Sequence, residues 1–206
     1  MIDKFCDWLT NRIKTKVTNM DEEKELIINF GIRLIFGELP KIFLLIIIGF
    51  LLHIGWYTIL LFVLIAPYRS FTGGIHLKTH TGCMITTSVL YLVPIIIAKY
   101  IEFKQPIIMY ILTALIVIFS IIVITKYAPA DTENMPILSK KERKNKKIKS
   151  YLSLTILLGI ILFNPNQIIS YMLIYSIFLQ NLTVLPISYK LTNSKYGYEV
   201  YTEETI

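Results

Sequence analysis

Apolar residues recur at Ile2, Phe5, Leu9 and Ile13, while Lys4, Asp7, Asn11, Arg12 and Lys14 fill the rest of the helical wheel. That spacing predicts an amphipathic helix at the start of the chain. A second helix is expected over residues 22–39, where Asn19 and an acidic first turn precede the apolar pattern and Pro40 follows it. Two readings stay open for this pair. The helices either lie in the headgroup plane as interfacial elements or pack on the protein's own cytoplasmic surface.

Beyond residue 41 the alternation gives way to long apolar runs. Residues 42–68, 79–98, 105–125 and 150–189 contain no charged residue. A helix crosses a hydrocarbon core of about 30 Å with roughly 20 apolar residues, so the second and third runs each fit one span. The fourth would extend about 60 Å as a single helix and must fold back. Asn164-Pro165-Asn166 supplies the turn chemistry. The first run is long for one span and short for two; a break at His53-Ile54-Gly55 would make it a shallow or re-entrant hairpin of two short helices. The expected fold is therefore an all-α, polytopic membrane domain over residues 1–206. It has two interfacial helices in 1–39 and four to six membrane-embedded helices in 40–189. The polar tail 190–206 receives no structural assignment.

Composition agrees with a lipid environment. Of 206 residues 54% are hydrophobic and 17% charged, against about 25% charged in a soluble domain. A disordered chain and a disulfide scaffold are thereby excluded, and Cys6 and Cys83 lie too far apart in sequence, in surroundings too different, to suggest a bridge. No cleavable signal peptide is visible in the first sixteen residues. The net charge of +7 is concentrated: residues 139–149 hold seven basic residues and one acid. A basic block between apolar runs reads as a cytoplasmic membrane loop, not as a nucleic-acid groove. With that loop inside, the run 105–125 ends inside and 79–98 starts inside. Residues 67–83 then lie at the cytoplasmic face, as do both termini.

Candidate chemistry is concentrated in residues 68–83, YRSFTGGIHLKTHTGC. Ionisable groups at membrane depth are costly, which makes them functional candidates. His76 and Cys83 form the sharpest pair, two turns apart if helical and dependent on tertiary contacts if not. An imidazole beside a thiol supports the nucleophilic thiolate and can protonate a leaving amine. Gly73 and Gly74 allow unusual backbone angles that would let their N–H groups face an oxyanion, and Arg69 is placed to hold a substrate carboxylate or to brace local structure. Spacing alone also allows Cys83 to be a small buried residue and His76 an interfacial one. A third reading groups His76, His80 and Cys83 as a zinc or copper site, but no Asp or Glu lies between Pro40 and Lys99 to complete it. Asp131 and Glu133 read as solvated loop acids, and Cys6 as a buried small residue.

The run Arg69-Ser70-Phe71-Thr72-Gly73-Gly74-Ile75-His76 followed by Cys83, with Tyr127-Ala128-Pro129-Ala130-Asp131, Asn134 and Pro136-Ile137, resembles the accessory gene regulator B (AgrB) family. These are integral-membrane cysteine peptidases of bacteria that mature quorum-sensing pre-peptides. The resemblance implies a Cys-His dyad with Cys83 as nucleophile and His76 as base and acid. Arg69 and Gly74 match positions important for activity, and His80 matches no assigned role. It further implies a homodimer in the cell membrane without cofactor or metal, and a substrate that is a short pheromone pre-peptide with an amphipathic leader and an acidic C-terminal tail. The enzyme would cleave near the C-terminal side and cyclise the product to a thiolactone or lactone. Lys140, Lys141, Arg143 and Lys144 are expected to attract the acidic tail. Two rivals predict other outcomes: a non-enzymatic peptide exporter and a membrane metal-binding protein.

Overall fold

The computed structural model describes residues 2–15, 22–77, 79–101, 105–132, 136–137 and 139–196, and within them the side chains of residues 2–6, 22–27, 30, 33, 34, 37, 38, 80 and 106 lie outside the description. The Cys6 side chain, Glu133, Asn134 and the tail beyond residue 196 are thus outside it. The described residues form eight helices in two compact units, Met1–Gly55 and Trp56–Ile206.

In the first unit α1 (Ile2–Lys14) packs on α2 (Glu22–Leu51). Asn29 Nδ2 donates to Asp7 Oδ1 at 3.1 Å, and Thr10 and Ile32 are buried. The expected stop before Pro40 does not occur: α2 runs through that proline to Leu51. A proline removes one helical N–H and crowds the preceding turn. The apolar residues after it nevertheless continue as helix, the form that satisfies the backbone internally. The break expected at His53 is present. Ile54 N–H donates to Gly49 O at 2.9 Å and His53 N–H to Phe50 O at 3.0 Å, with His53 at φ 57°. This pair of bonds around a left-handed residue is a Schellman cap.

The second unit contains α3 (Gly55–Thr72) from Trp56 onward, α4 (His80–Tyr100), α5 (Pro106–Tyr127), α6 (Lys140–Phe163), α7 (Gln167–Val184) and α8 (Pro186–Leu191). Among the described residues three helices are long and apolar enough to cross a membrane: Thr81–Tyr100, Ile107–Tyr127 and Gln167–Val184. α7 is the centre, with 61% of its span buried against 28% for α5, and it packs on α4, α5, α6 and α8. The fold-back of the fourth apolar run falls where the sequence places it. Asn166 N–H donates to Asn164 Oδ1 at 2.8 Å, and Asn166 Oδ1 accepts from Ile168 N–H at 3.0 Å, capping α7.

One expectation is refined here, and one unassigned segment gains a description. Residues 140–149 are not a loop but the first turns of α6, capped by Ser139, whose side chain accepts from the Glu142 N–H. Lysine and arginine are good helix formers, and the Lys146–Glu142 pair at 3.2 Å supports the turn. The tail is ordered through Tyr196, whose ring stacks on buried Tyr189 with centroids 4.0 Å apart.

Candidate functional site

At one end of the second unit the C-terminal ends of α3, α5 and α7 meet the segment that carries His76. α3 ends as Thr72 Oγ1 donates to Tyr68 O at 2.9 Å and Gly73 N–H to Arg69 O at 2.9 Å. Gly73 and Gly74 then adopt φ 73° and 139°, a region that favours glycine. Close approach is a second reason for glycine. A Cβ on Gly73 would overlap the Ala130 carbonyl, and one on Gly74 would meet Thr183 Oγ1. The released chain is bolted on both sides: Ala130 N–H donates to Thr72 O and Gly74 N–H to Ala130 O, each at 2.9 Å, and Ile75 N–H donates to Thr183 O at 3.1 Å. Ile75 is buried with Val123, Ala130, Val184 and Tyr189.

These bonds correct one expectation. The N–H groups of Gly73 and Gly74 both donate to protein carbonyls and so do not form an oxyanion hole in this structure. Each amide has a single proton, already engaged. The two glycines shape and anchor the turn before His76.

α7 presents two consecutive buried amides here, of which Gln180 braces the turn and Asn181 ties helix to helix. Gln180 Oε1 accepts from Arg69 Nη1 at 2.8 Å, while its Nε2 donates to Thr72 Oγ1 at 3.0 Å and to Gly73 O at 2.7 Å. Arg69 Nη2 reaches Ile75 O at 3.4 Å. Asn181 Oδ1 accepts from Tyr68 Oη at 2.7 Å and its Nδ2 donates to Ser120 Oγ at 2.7 Å, tying α3 to α5. Sequence reading passed over both amides, which stand in an apolar run with no local partner; the only signal was their polarity at that depth.

His76 is half-buried in the non-helical stretch after the glycines, so the two-turn helical spacing to Cys83 does not apply. Cys83 is half-buried in the first turn of α4. Thr79 caps that helix, its side chain accepting from Gly82 N–H at 3.1 Å while Cys83 N–H donates to Thr79 O at 3.0 Å. His76 therefore lies in the segment linking α3 to α4, and Cys83 in the helical turn that follows it. The His80 side chain lies outside the description. Among the described residues no group of three or more His, Cys, Asp or Glu could hold a metal ion.

The loop after α5 is held by an acid that sequence reading took as solvated. Asp131 is buried; its Oδ2 accepts from Ile137 N–H at 3.0 Å and pairs with Arg143 Nη1 at 3.1 Å. Arg143 also donates to Pro129 O at 3.1 Å and Ile137 O at 3.2 Å. Arg143, expected among the substrate-tail residues, is thus a clamp on the loop that anchors Gly74. Lys140, Lys141 and Lys144 are exposed. Tyr189 Oη donates to Asp131 O at 2.9 Å, bringing α8 onto the same loop.

The matched region of the chain, residues 3–184, fits the family model for Accessory gene regulator B. The chain belongs to the AgrB family. Its AgrB-family relatives include the accessory gene regulator protein B of Staphylococcus intermedius, 34% identical over 68% of this chain and 71% of the relative. The accessory gene regulator protein B of Staphylococcus aureus strain MW2 is 26% identical over 91% of this chain and 94% of its own. A putative AgrB-like protein of Clostridium acetobutylicum is 26% identical over 87% and 83% respectively. No solved structure matches. The AgrB match includes every candidate residue and ends at Val184, whereas Tyr189 and Tyr196, which pack against Ile75's cluster, lie beyond it. Family membership and the three apolar helices make this a membrane protein of an accessory gene regulator quorum-sensing system.

Proposed function

We propose that this AgrB-family chain is a membrane cysteine endopeptidase that cleaves a short pheromone pre-peptide and cyclises the product. The observation that carries the reading is the rigid turn at Gly73-Gly74. It is tied to α5's loop and α7 by backbone bonds and delivers His76 into the short link that ends at Cys83. Cys83 stands in the first turn of α4, directly after that link.

In the proposed reaction the Cys83 thiolate attacks the scissile carbonyl carbon, and the C–N bond breaks as the His76 imidazolium gives its proton to the departing amine. The tail leaves with a free amino group, and the acyl group remains on Sγ as a thioester. An internal cysteine thiol of the peptide then gives its proton to His76 and attacks that carbonyl, expelling the Cys83 thiolate. Thioester exchange is nearly isoenergetic, so limiting water at a headgroup-level site and holding the peptide ends close favours the ring over hydrolysis. A peptide serine in the same place gives a lactone.

Arg69 serves as a brace through Gln180 and Ile75 O. Lys140, Lys141 and Lys144 at the start of α6 attract the acidic tail. Their segment stands at the same end of the unit as the Gly-Gly turn, since Arg143 bonds Pro129 O. The positive-inside rule makes that end cytoplasmic, with both chain termini. A homodimer is part of this reading, as is an anionic lipid surface near α6. Co-expression with a pre-peptide followed by mass spectrometry tests it: the wild type should release the tail and leave a ring species lighter by one water than the linear acid, and His76→Ala should leave the peptide intact. Uncut peptide with the wild type in a membrane fraction contradicts it.

A further inference from the structure

We infer that Gln180 is a positioning residue for the His76 segment, an inference that rests on the peptidase reading above. Its side chain is about as buried as any in the protein, at 1% exposure. The orientation of its amide is fixed by its neighbours and not by choice. A guanidinium can only donate, so the oxygen must face Arg69; the Gly73 carbonyl can only accept, so the nitrogen must face Gly73. The Thr72 hydroxyl accepts the second Nε2 proton and passes its own to Tyr68 O.

One amide thus joins α7 to three consecutive features of the chain before His76: the guanidinium on the last turn of α3, its terminal hydroxyl, and the carbonyl of the left-handed glycine. Arg69 continues the connection to Ile75 O, the carbonyl immediately before His76. The Gln180 side chain bonds Arg69, Thr72 and Gly73, so it acts on His76 through the turn. Asn181 beside it offers an internal comparison. It is equally buried and makes two hydrogen bonds, but to Tyr68 and Ser120 within the helix bundle and not to the turn.

The test uses the full chain in membranes with a pre-peptide, comparing Gln180→Leu, the isosteric Gln180→Glu and Asn181→Ala. Gln180→Glu keeps shape and an Arg69 partner, but its carboxylate sets an oxygen against Gly73 O and so moves the turn while leaving the bundle intact. The expected result for both Gln180 variants is a kcat lower by about 100-fold with KM changed by less than about twofold, since small misplacement of a reacting group is costly to turnover alone. Asn181→Ala should lower the melting temperature in detergent yet hold kcat within about threefold of wild type. If Gln180→Glu melts like wild type and turns over like wild type, the inference is overturned. It is equally overturned if losses in all three variants simply follow melting temperature. Cys83→Ala, run in parallel, separates the two claims: processing that survives it removes the peptidase reading, whereas processing that needs Cys83 but ignores Gln180 removes only this one.

Discussion

Gly74 donates its N–H to the Ala130 carbonyl oxygen at 2.9 Å, and Ala130 returns a bond of the same length to Thr72 O, so two loops from different helices hold each other by backbone alone. Side-chain substitutions at Ala130 leave those bonds chemically possible, but a side chain on either glycine does not. Gly73→Ala and Gly74→Ala should each cost about 1–3 kcal/mol of strain. The cost should be larger at Gly73, where the new methyl meets backbone, not a movable side chain. Gly159→Ala, in α6 with no atom near its would-be Cβ, should be neutral or stabilise by about 1 kcal/mol. Thermal melting in detergent, with processing assayed in parallel, checks the ordering.

The Asp131–Arg143 clamp invites a double-mutant cycle. The acid is fully buried while the guanidinium keeps 26% exposure, so the pair sits between a surface and an interior salt bridge. Each single alanine variant should lose about 2–3 kcal/mol, mostly from stranding the remaining charge. The double variant should lose clearly less than the sum, with a coupling of about 1 kcal/mol or more. Additive losses in the melting curves would mean that the two side chains act separately.

What the sequence made legible was local chemistry. His53 and Asn164-Pro165-Asn166 mark their turns because the residues that close them are within a few positions. The charge-free runs became helices for the same reason. Pro40 misled because a proline weakens a helix without dictating its end. Asp131 and Gln180 were illegible in another way: Gln180's partner Arg69 is 111 positions away and Asp131's partner Arg143 is 12. A carboxylate in a polar loop looks solvated until its cation is found. Arg69, Gly73 and Gly74 stood out in the sequence as candidates, but the glycine N–H groups expected to face an oxyanion are taken by Arg69 O on α3 and Ala130 O on α5's loop.

Separating Arg143 from its lysine neighbours has a kinetic consequence. Neutralising Lys140, Lys141 and Lys144 together should raise KM for an acidic-tailed peptide by about tenfold at low salt and have progressively less effect as ionic strength rises. Arg143→Ala should instead lower stability and kcat with a small change in KM. Steady-state kinetics at two salt concentrations distinguish these; a salt-independent KM in the wild type would remove the lysines from substrate binding.

The most direct test traps the acyl group. The wild-type protein is mixed with a pre-peptide whose internal cysteine is replaced by alanine, so that ring closure is blocked, and the quenched protein is digested and analysed by mass spectrometry. The expected result is the peptide's acyl portion on the fragment containing Cys83, released by hydroxylamine and missing in Cys83→Ala. Tail release from the normal substrate by Cys83→Ala at the wild-type rate, with no adduct at that residue, would contradict the account.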